Sequence, residues 1–373
     1  MKRTHVLSLV VGIIAILFVT MAAQGQQPNQ LYAFKCTRSG CPNGFNPGAL
    51  IEASDGNFYG IAQGDGGLSG QGTIFKLTPS GKFTRLLILF NPQGALPTLV
   101  EAGDGNLYGV LAGYQGSIFK VSKSGKGFQV VFTFTDIDES ASLTLGKDGN
   151  LYGSTAFGGA KNVCSQVGCG TIFSLNLKTG VFTTLYELNG TSDGRQPSGL
   201  IQASDGNFYG TTLNNVFRVT PTGTFTVVTQ LPADDGAFGG VIQAANGTLY
   251  GMLNGAGPHL FSLEVDGSGF NVFPAIPRLN QQIEFLSTLL QPADGNLWFT
   301  TFASAGSDAI VSLSPNDSSL LQNILFPVIA SPLIQATNGK LYGTAYGGKV
   351  QGGTANGQVF SLNAGQAAAQ LAP

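Results

Sequence analysis

The sequence predicts an all-β fold: a seven-bladed β-propeller of four-stranded antiparallel blades, closed by an N-terminal strand that completes the last blade. Three observations support this prediction. A phrase of the type Asp-Gly-Asn-Leu-Tyr-Gly recurs seven times with a mean period of about 47 residues, which is typical of propellers and solenoids. A second phrase, of the type Ile-Phe-Lys-Leu, also recurs seven times. The last repeat lacks a fourth strand, whereas an extra strand precedes the first repeat.

The first repeat, residues 48–90, contains four runs rich in apolar and aromatic residues, the composition expected of β-strands. Tight-turn signals separate strands one and two, and strands three and four, because glycine tolerates positive φ and Asp or Ser bonds the neighbouring backbone. A looser glycine-rich segment separates strands two and three. In order, the elements are strand Ala49–Ala53, turn Asp55–Gly56, strand Phe58–Ala62, strand Thr73–Thr78, turn Ser80–Gly81 and strand Phe83–Phe90.

The two ends of the repeat array complement each other. The seventh repeat supplies three strands and ends at Leu362, while Leu31–Phe34 has the composition of a fourth strand. Pairing this segment with the last three strands closes a ring and covers strand edges that would otherwise promote aggregation. An open β-solenoid is the alternative, but solenoids usually have shorter periods and need no mismatched terminal strand.

Residues 1–25 have the features of a secretory signal peptide. Lys2 and Arg3 give a basic start, and the apolar run Val6–Val19 is too short to span a membrane comfortably. An uncleaved N-terminal anchor is the alternative. We expect a secreted, periplasmic or cell-envelope protein whose mature chain has no membrane span.

The remaining chain is expected to form one domain and to be monomeric, since the repeat is unbroken. Residues 26–363 are predicted to be the propeller, with the closing strand at about 31–36 and the repeats at about 48–363. Residues 364–373 are rich in Ala and Gln, and we expect this tail to be disordered.

Composition argues against two classes of partner. Of the 373 residues only 10% are charged, and without residues 1–25 the formal net charge falls from −2 to −4. A weakly acidic chain without a basic cluster does not fit nucleic acid or an anionic membrane surface. With 54 Gly and 26 Phe, the composition instead suits a turn-rich, well-packed β protein.

Four cysteines fall in two pairs of equal spacing, which predict the disulfides Cys36–Cys41 and Cys164–Cys169. Export permits such bonds, and each would contribute roughly 2 kcal/mol on the chain-entropy model. Zinc is the weaker alternative, because the spacing is not CxxC and the mature chain has a single histidine, His259. We therefore expect no metal and no cofactor.

The seven repeat turns are expected to be structural. A calcium loop needs several oxygen ligands in one short loop, whereas each turn offers at most one carboxylate. The aromatic residue that follows, such as Tyr59, is expected to pack between blades with its hydroxyl group bonded. The turns begin at Asp55, Asp104, Asp148, Asp205, Asn246, Asp294 and Asn338.

The variable links point to a functional face. In a four-stranded blade the tight turns lie on one face, and the links between strands two and three and between blades lie on the other. Binding residues usually sit on variable loops of a rigid scaffold. The candidate binding residues in these links are Asp136, Asp138, Glu139, Asp193, Arg195, Asp234, Asp235 and His259.

Ordinary solvated loop charges are the alternative for these acidic residues, and a passive polar residue is the alternative for His259. A histidine acting as a general base needs an orienting partner, and the sequence identifies none. No Gly-x-Ser-x-Gly, Walker or Rossmann motif occurs in a suitable setting, so no catalytic residue is assigned.

The repeat, Leu-Ile-x-Ala-x-Asp-Gly-Asn-Phe-Tyr-Gly followed by Gly-Thr-Ile-Phe-Lys-Leu-Thr-Pro-x-Gly, resembles the GloVer (Gloeo/Verruco) tandem repeat of exported bacterial proteins. The resemblance covers almost all of the mature chain and is strongest at 49–90, 171–187 and 199–227. It implies an extracytoplasmic protein of unassigned biochemistry. Some members carry a C-terminal sorting or anchor segment, which this sequence is not expected to have.

The sixth copy, Asp294-Gly-Asn-Leu-Trp-Phe-Thr300, is also similar to blades of streptogramin lyase (virginiamycin B lyase) propellers. That resemblance implies a metal ion and a catalytic histidine. Only His259 is available in the mature chain, so no catalytic role is carried over, and the shared motif describes the scaffold.

Three hypotheses for function follow. The first is an exported binding or interaction module, not an enzyme, whose loops recognise a glycan, a peptide or a surface protein. The second is a lyase- or hydrolase-type propeller with a central-channel pocket built from loop carboxylates. The third is a passive structural protein of the envelope.

Overall fold

Seven four-stranded sheets make up the structure, which is a computed structural model. The prediction of an all-β, seven-bladed propeller is confirmed. The structure describes residues 28–37, 40–64, 72–89, 99–111, 116–134, 141–160, 164, 167–232, 236–254, 258–276, 283–303, 309–325, 331–346, 349–350, 353–354 and 356–364.

Strands are numbered in chain order. The closing strand β1 (Asn29–Ala33) precedes blade 1, which comprises β2 (Phe45–Glu52), β3 (Phe58–Gln63), β4 (Gly72–Leu77) and β5 (Phe83–Leu89). Blade 2 comprises β6 (Leu99–Glu101), β7 (Asn106–Leu111), β8 (Ser117–Ser122) and β9 (Gln129–Thr133). Blade 3 comprises β10 (Ala141–Leu145), β11 (Leu151–Thr155), β12 (Thr171–Leu175) and β13 (Phe182–Glu187). Blade 4 comprises β14 (Ser198–Gln202), β15 (Phe208–Thr211), β16 (Asn215–Val219) and β17 (Phe225–Gln230).

The remaining blades follow the same order. Blade 5 comprises β18 (Ala237–Gln243), β19 (Leu249–Asn254), β20 (Pro258–Leu263) and β21 (Asn271–Val272). Blade 6 comprises β22 (Ile283–Leu286), β23 (Leu297–Ala303), β24 (Ala309–Leu313) and β25 (Leu320–Leu325). Blade 7 contributes β26 (Ile334–Gln335), β27 (Lys340–Ala345) and β30 (Gln358–Asn363). The link between β27 and β30, expected to be a loop, contains a hairpin of β28 (Lys349–Val350) and β29 (Gly353–Thr354).

The core lies between neighbouring blades, and a recurring pair of residues shapes it. The glycine of each second strand faces a phenylalanine of the third strand, as Gly109 faces Phe119. A Cβ atom on Gly109 would lie 2.6 Å from that ring, so only glycine leaves room for it. Blade 6 reverses the sizes, because Phe299 faces Val311 there. The phenylalanine thus changes strand in blade 6, and the residue opposite it is valine rather than glycine.

The ring closes as the sequence predicts. β1 pairs antiparallel with β30, with Asn29 opposite Ser361 and Ala33 opposite Gln358. A Cβ on Gly125, in the second tight turn of blade 2, would lie 2.5 Å from the Leu86 carbonyl oxygen of blade 1. Gly81 of blade 1 stands in the same relation to Leu31 of β1, at 2.7 Å. The N-terminal strand therefore acts as the fourth strand of blade 7.

Strand direction defines two faces. The turn face carries the tight turns between strands one and two and between strands three and four. The loop face carries the links between strands two and three and between blades. β1 begins at the turn face and β30 ends there, so both Asn29 and Asn363 lie on the turn face. Within the described residues, no helix is both long and apolar enough to cross a membrane.

Candidate functional site

The Cys164–Cys169 disulfide braces a loop-face link of blade 3, and the Cys36–Cys41 disulfide follows β1. Both predicted disulfides are present. Cys169 is fully buried in the core between blades 3 and 4. Gly190, in the next inter-blade link, packs directly on this disulfide, since a Cβ there would lie 2.4 Å from the Cys164 sulfur. The disulfide thus supports two adjacent links rather than one.

Asp193 anchors the link between blades 3 and 4 from inside. Its side chain is only 3% exposed. The carboxylate accepts the backbone N–H of Asn189 at 2.9 Å and of Gly190 at 3.2 Å, and the Tyr186 hydroxyl at 2.8 Å. Burial and the adjacent Asp193 raise the pKa of Tyr186 to about 12. Asp193, one of the candidate residues, is therefore directed into the protein, where it shapes the link.

Arg195 lies two residues further along and is exposed. It makes no ion pair with any described residue, because the ion pairs of the described residues join Lys76 to Asp55 and Lys123 to Glu101. Its backbone carbonyl accepts the N–H of Leu213 at 3.1 Å. This bond fixes Arg195 beside the hairpin that joins β15 to β16.

The other candidates are differently placed. His259 is half-buried at the start of β20, with Nδ1 3.0 Å from the Phe273 carbonyl oxygen. Among the residues that the structure describes, no three His, Cys, Asp or Glu side chains come together as a metal site. The remaining candidates lie outside the described residues: Asp136, Asp138, Glu139, Asp234 and Asp235.

The repeat turns satisfy their own polar groups. Asp55 Oδ1 accepts the Asn57 N–H at 3.2 Å, and Oδ2 accepts the Tyr59 hydroxyl at 2.8 Å. Trp298 donates its indole N–H to Asp294 in the sixth copy, and Asn338 donates to the Tyr342 hydroxyl in the seventh. The Asp55 arrangement recurs at Asp104, Asp148 and Asp205.

Electrostatics at the first turn follow from these bonds. Partial burial opposes ionisation of Asp55, but hydrogen bonds from Lys76, Tyr59 and Asn57 outweigh it and lower its pKa to about 2. Burial, together with the adjacent Asp55 charge, raises the pKa of Tyr59. The Lys76 ammonium lies 3.0 Å from Asp55 Oδ2. The charge of the turn is therefore neutralised locally.

A ring of inter-blade clasps, not predicted from the sequence, lies on the same face. In each clasp a Glu or Gln that ends one blade's first strand accepts a backbone N–H from the turn of the preceding blade. Glu101 accepts the Ser54 N–H at 2.6 Å, and Glu52 accepts the Thr337 N–H at 2.7 Å, which joins blade 7 to blade 1. The other clasps are Gln202 to Lys147, Gln243 to Ser204, Gln291 to Ala245 and Gln335 to Ala293.

Glu and Gln make different additional bonds in these clasps. Glu101 and Glu52 also accept the hydroxyl groups of Ser54 and Thr337, at 2.7 and 2.8 Å. The Gln residues instead donate to a glycine carbonyl of their own turn, as Gln243 does at 2.9 Å. Blade 3 has Leu145 at this position. The sequence signal was a Glu or Gln three residues before the turn residue in six of the seven repeats.

These blades and their packing define a β-propeller. The chain belongs to the Gloeobacter/Verrucomicrobia repeat family, whose model matches residues 16–214 and 114–313. This confirms the family resemblance drawn from the repeat. No functionally curated protein matches the chain in sequence.

Solved structures share the fold. A streptogramin B lyase structure is similar with a TM-score of 0.61 and 16% identity, covering 89% of this chain and 98% of that chain. A puromycin-hydrolysing peptidase from Mycobacterium tuberculosis has a TM-score of 0.60 and 11% identity, covering 92% of this chain and 56% of that one. A prolyl endopeptidase has a TM-score of 0.52 and 13% identity, covering 81% of this chain and 47% of that one. At these identities the likenesses establish the propeller fold alone.

Proposed function

We propose that this protein works outside the cytoplasm as a binding module that captures its ligand on the loop face. A location outside the cytoplasm is supported by the two disulfides and by the family. The predicted signal peptide, residues 1–25, lies outside the described residues, and its cleavage stays a prediction. Disulfides persist in oxidising compartments and are rare in the cytosol.

The observation that carries the proposal is the contrast between the two faces. On the turn face, the polar groups of the repeat turns form hydrogen bonds within each turn and, through the clasps, with the neighbouring blade. On the loop face, the links of blades 3 and 4 are braced by a disulfide and by the buried Asp193, yet they expose Arg195, which has no ion-pair partner among the described residues. A rigid support for an exposed charged group lowers the ordering cost of binding.

In the described part of the chain, Asp193 and His259 do not form a catalytic arrangement. The Asp193 carboxylate is saturated by backbone and hydroxyl donors, and the described contact of the His259 ring is with a backbone carbonyl. The bond from Nδ1 to a carbonyl orients the imidazole, but among the described residues no acidic or nucleophilic side chain is bonded to His259, so no catalytic pair is assembled there. Binding is therefore the function that we propose.

The test is a thermal-shift screen of the oxidised chain from residue 26 onward. The panel contains oligosaccharides, cell-wall fragments, random heptapeptide pools and divalent metals with a chelator control. A ligand at about a hundred times its Kd adds roughly 2.7 kcal/mol to the free energy of unfolding, enough to raise the midpoint visibly.

A matched pair of variants assigns any response to a face. Arg195→Gln with Leu213→Ser alters the loop face, whereas Lys178→Gln with Val181→Ser alters an exposed turn-face segment of the same kind. We expect the loop-face variant to lose the response and the turn-face variant to keep it. Equal losses, or catalytic turnover of a panel compound, would contradict the proposal.

A further inference from the structure

Three exposed residues of different links lie on segments that are joined by backbone hydrogen bonds on the loop face, at the junction of blades 3 and 4. Val167 belongs to the disulfide-braced link, Arg195 to the inter-blade link, and Leu213 to the hairpin after β15. Val167 is 38% exposed and Leu213 is 37% exposed, which places both among the few exposed large aliphatic residues of the described chain. We call these three residues the junction patch.

Backbone hydrogen bonds hold the junction patch together. The Leu213 N–H donates to the Arg195 carbonyl at 3.1 Å. The next residue, Gln196, donates its N–H to the Cys169 carbonyl at 2.8 Å, two residues from Val167. Val167 itself accepts the Gly158 N–H at 2.8 Å. The three side chains therefore rise from one continuous, hydrogen-bonded surface.

The surface beneath the patch resists rearrangement. Gly194 fits closely against blade 4, because a Cβ there would lie 2.1 Å from the Thr212 hydroxyl oxygen. Asp193, the Cys164–Cys169 disulfide and the Gly190 contact secure the same link from the other side. The backbone beneath the patch is therefore held in place before a ligand binds, so binding costs little conformational entropy of these links.

The side chains of the junction patch indicate the class of ligand that it can bind. The exposed Arg195 guanidinium, which forms no ion pair with a described residue, is suited to a carboxylate, which it can bind through two parallel hydrogen bonds. The flanking side chains are aliphatic, whereas sugar rings are usually recognised by exposed aromatic faces. Among the described residues, the exposed aromatic side chain is Phe128, which lies at the turn-face end of β9.

We infer that the junction patch binds an extended peptide segment that carries an Asp or Glu close to an aliphatic residue. In an extended strand, side chains on one side are about 7 Å apart, so an acidic residue and an aliphatic residue two positions away can face the same surface. This inference rests on the proposed function, because it names the ligand class and the place on the loop face.

The test is selection of a displayed random heptapeptide library on the oxidised propeller, followed by affinity measurement of the recovered peptides. We expect enrichment of sequences with an acidic residue two positions from Leu, Ile or Val, since those side chains share one side of an extended strand. Arg195→Gln should weaken binding about fivefold and Leu213→Ser about tenfold, as expected for one partly exposed ion pair and one aliphatic contact. The control variants Lys178→Gln and Val181→Ser should leave affinity unchanged.

The outcomes separate this inference from the broader proposal. Recovered peptides without acidic residues, or equal binding to Arg195→Gln, would overturn the peptide site. Failure of the library together with a glycan response lost in the loop-face variant would also overturn it, while leaving the loop face as the binding surface. Failure of both screens would overturn both.

Discussion

Replacing Asn215 with Thr should stabilise the protein. Asn215 is fully buried at the start of β16, and neither Nδ2 nor Oδ1 of its side chain has a hydrogen-bond partner among the described residues. Strand alternation places its side chain on the same side as Phe217 and Val219, in the core shared with blade 3. The equivalent residue of blade 3 is Thr171, whose hydroxyl lies 2.8 Å from that of Thr155.

The size of the effect follows from the groups removed. An unpaired buried polar group costs about 1–3 kcal/mol, and Asn215 has two. Thr212 occupies the place of Thr155 and accepts the Asn215 N–H at 3.1 Å, so a threonine hydroxyl at 215 finds a partner within reach. After allowance for the smaller side chain, we expect a gain of about 1–3 kcal/mol, or a Tm higher by roughly 2–6 °C.

Thermal and urea unfolding of the oxidised, ligand-free protein measures the gain. Lys178→Gln is the control, because Lys178 is exposed and its replacement should leave the midpoint within about 1 °C. A lower Tm for Asn215→Thr beside an unchanged Lys178→Gln would refute the reasoning, since it would mean that the buried amide is stabilising.

Three further predictions concern the turn face. Glu52→Leu removes the acceptor of the Thr337 N–H and hydroxyl, so it should lower the free energy of unfolding by about 1–2 kcal/mol; an unchanged urea midpoint would mean that this clasp contributes nothing. Because the folded-state pKa of Asp55 is lowered to about 2, its ionised form stabilises the fold above about pH 4, and that contribution disappears as the pH falls towards 2. The Tm advantage of the wild type over Asp55→Asn should therefore shrink between pH 5 and pH 2, and a constant difference would contradict the lowered pKa. Gly125→Ala and Gly105→Ala carry similar strain, at φ values of +78° and +77°, but only the first meets a neighbouring carbonyl. Gly125→Ala should lower the free energy of unfolding by about 1–3 kcal/mol more than Gly105→Ala does. Equal losses would show that neighbouring blades can move apart at this contact at little cost.

The fold could be predicted because the residues that specify the turns and strand pairs of one blade all lie within one repeat. Asp55 and Gly56 specify a local turn, and Phe75 faces a glycine in the adjacent strand, so the pattern within one repeat describes one blade. The closing strand was predictable for a similar reason, since a missing strand at one end matched an extra one at the other.

The clasps and the junction patch were harder to predict because their partners belong to different repeats. Nothing near Glu101 indicates that it bonds Ser54, which lies 47 residues earlier in the chain. Asp193 and Arg195 look alike as loop charges, yet one is buried and the other exposed. Leu213 reads as an ordinary apolar residue until the hairpin turns it towards solvent. Burial depends on three-dimensional neighbours that periodicity does not specify.

The position of the ends has a practical meaning. Because β1 starts and β30 stops at the turn face, a tether on either side of the ring leaves from the face that varies least between blades. A protein attached in this way holds every variable link towards the surroundings, and a layer of such molecules shares one orientation. Coupling to a sensor chip through either end should therefore leave the junction patch open to solution, whereas random coupling through lysines should obscure it in part of the population.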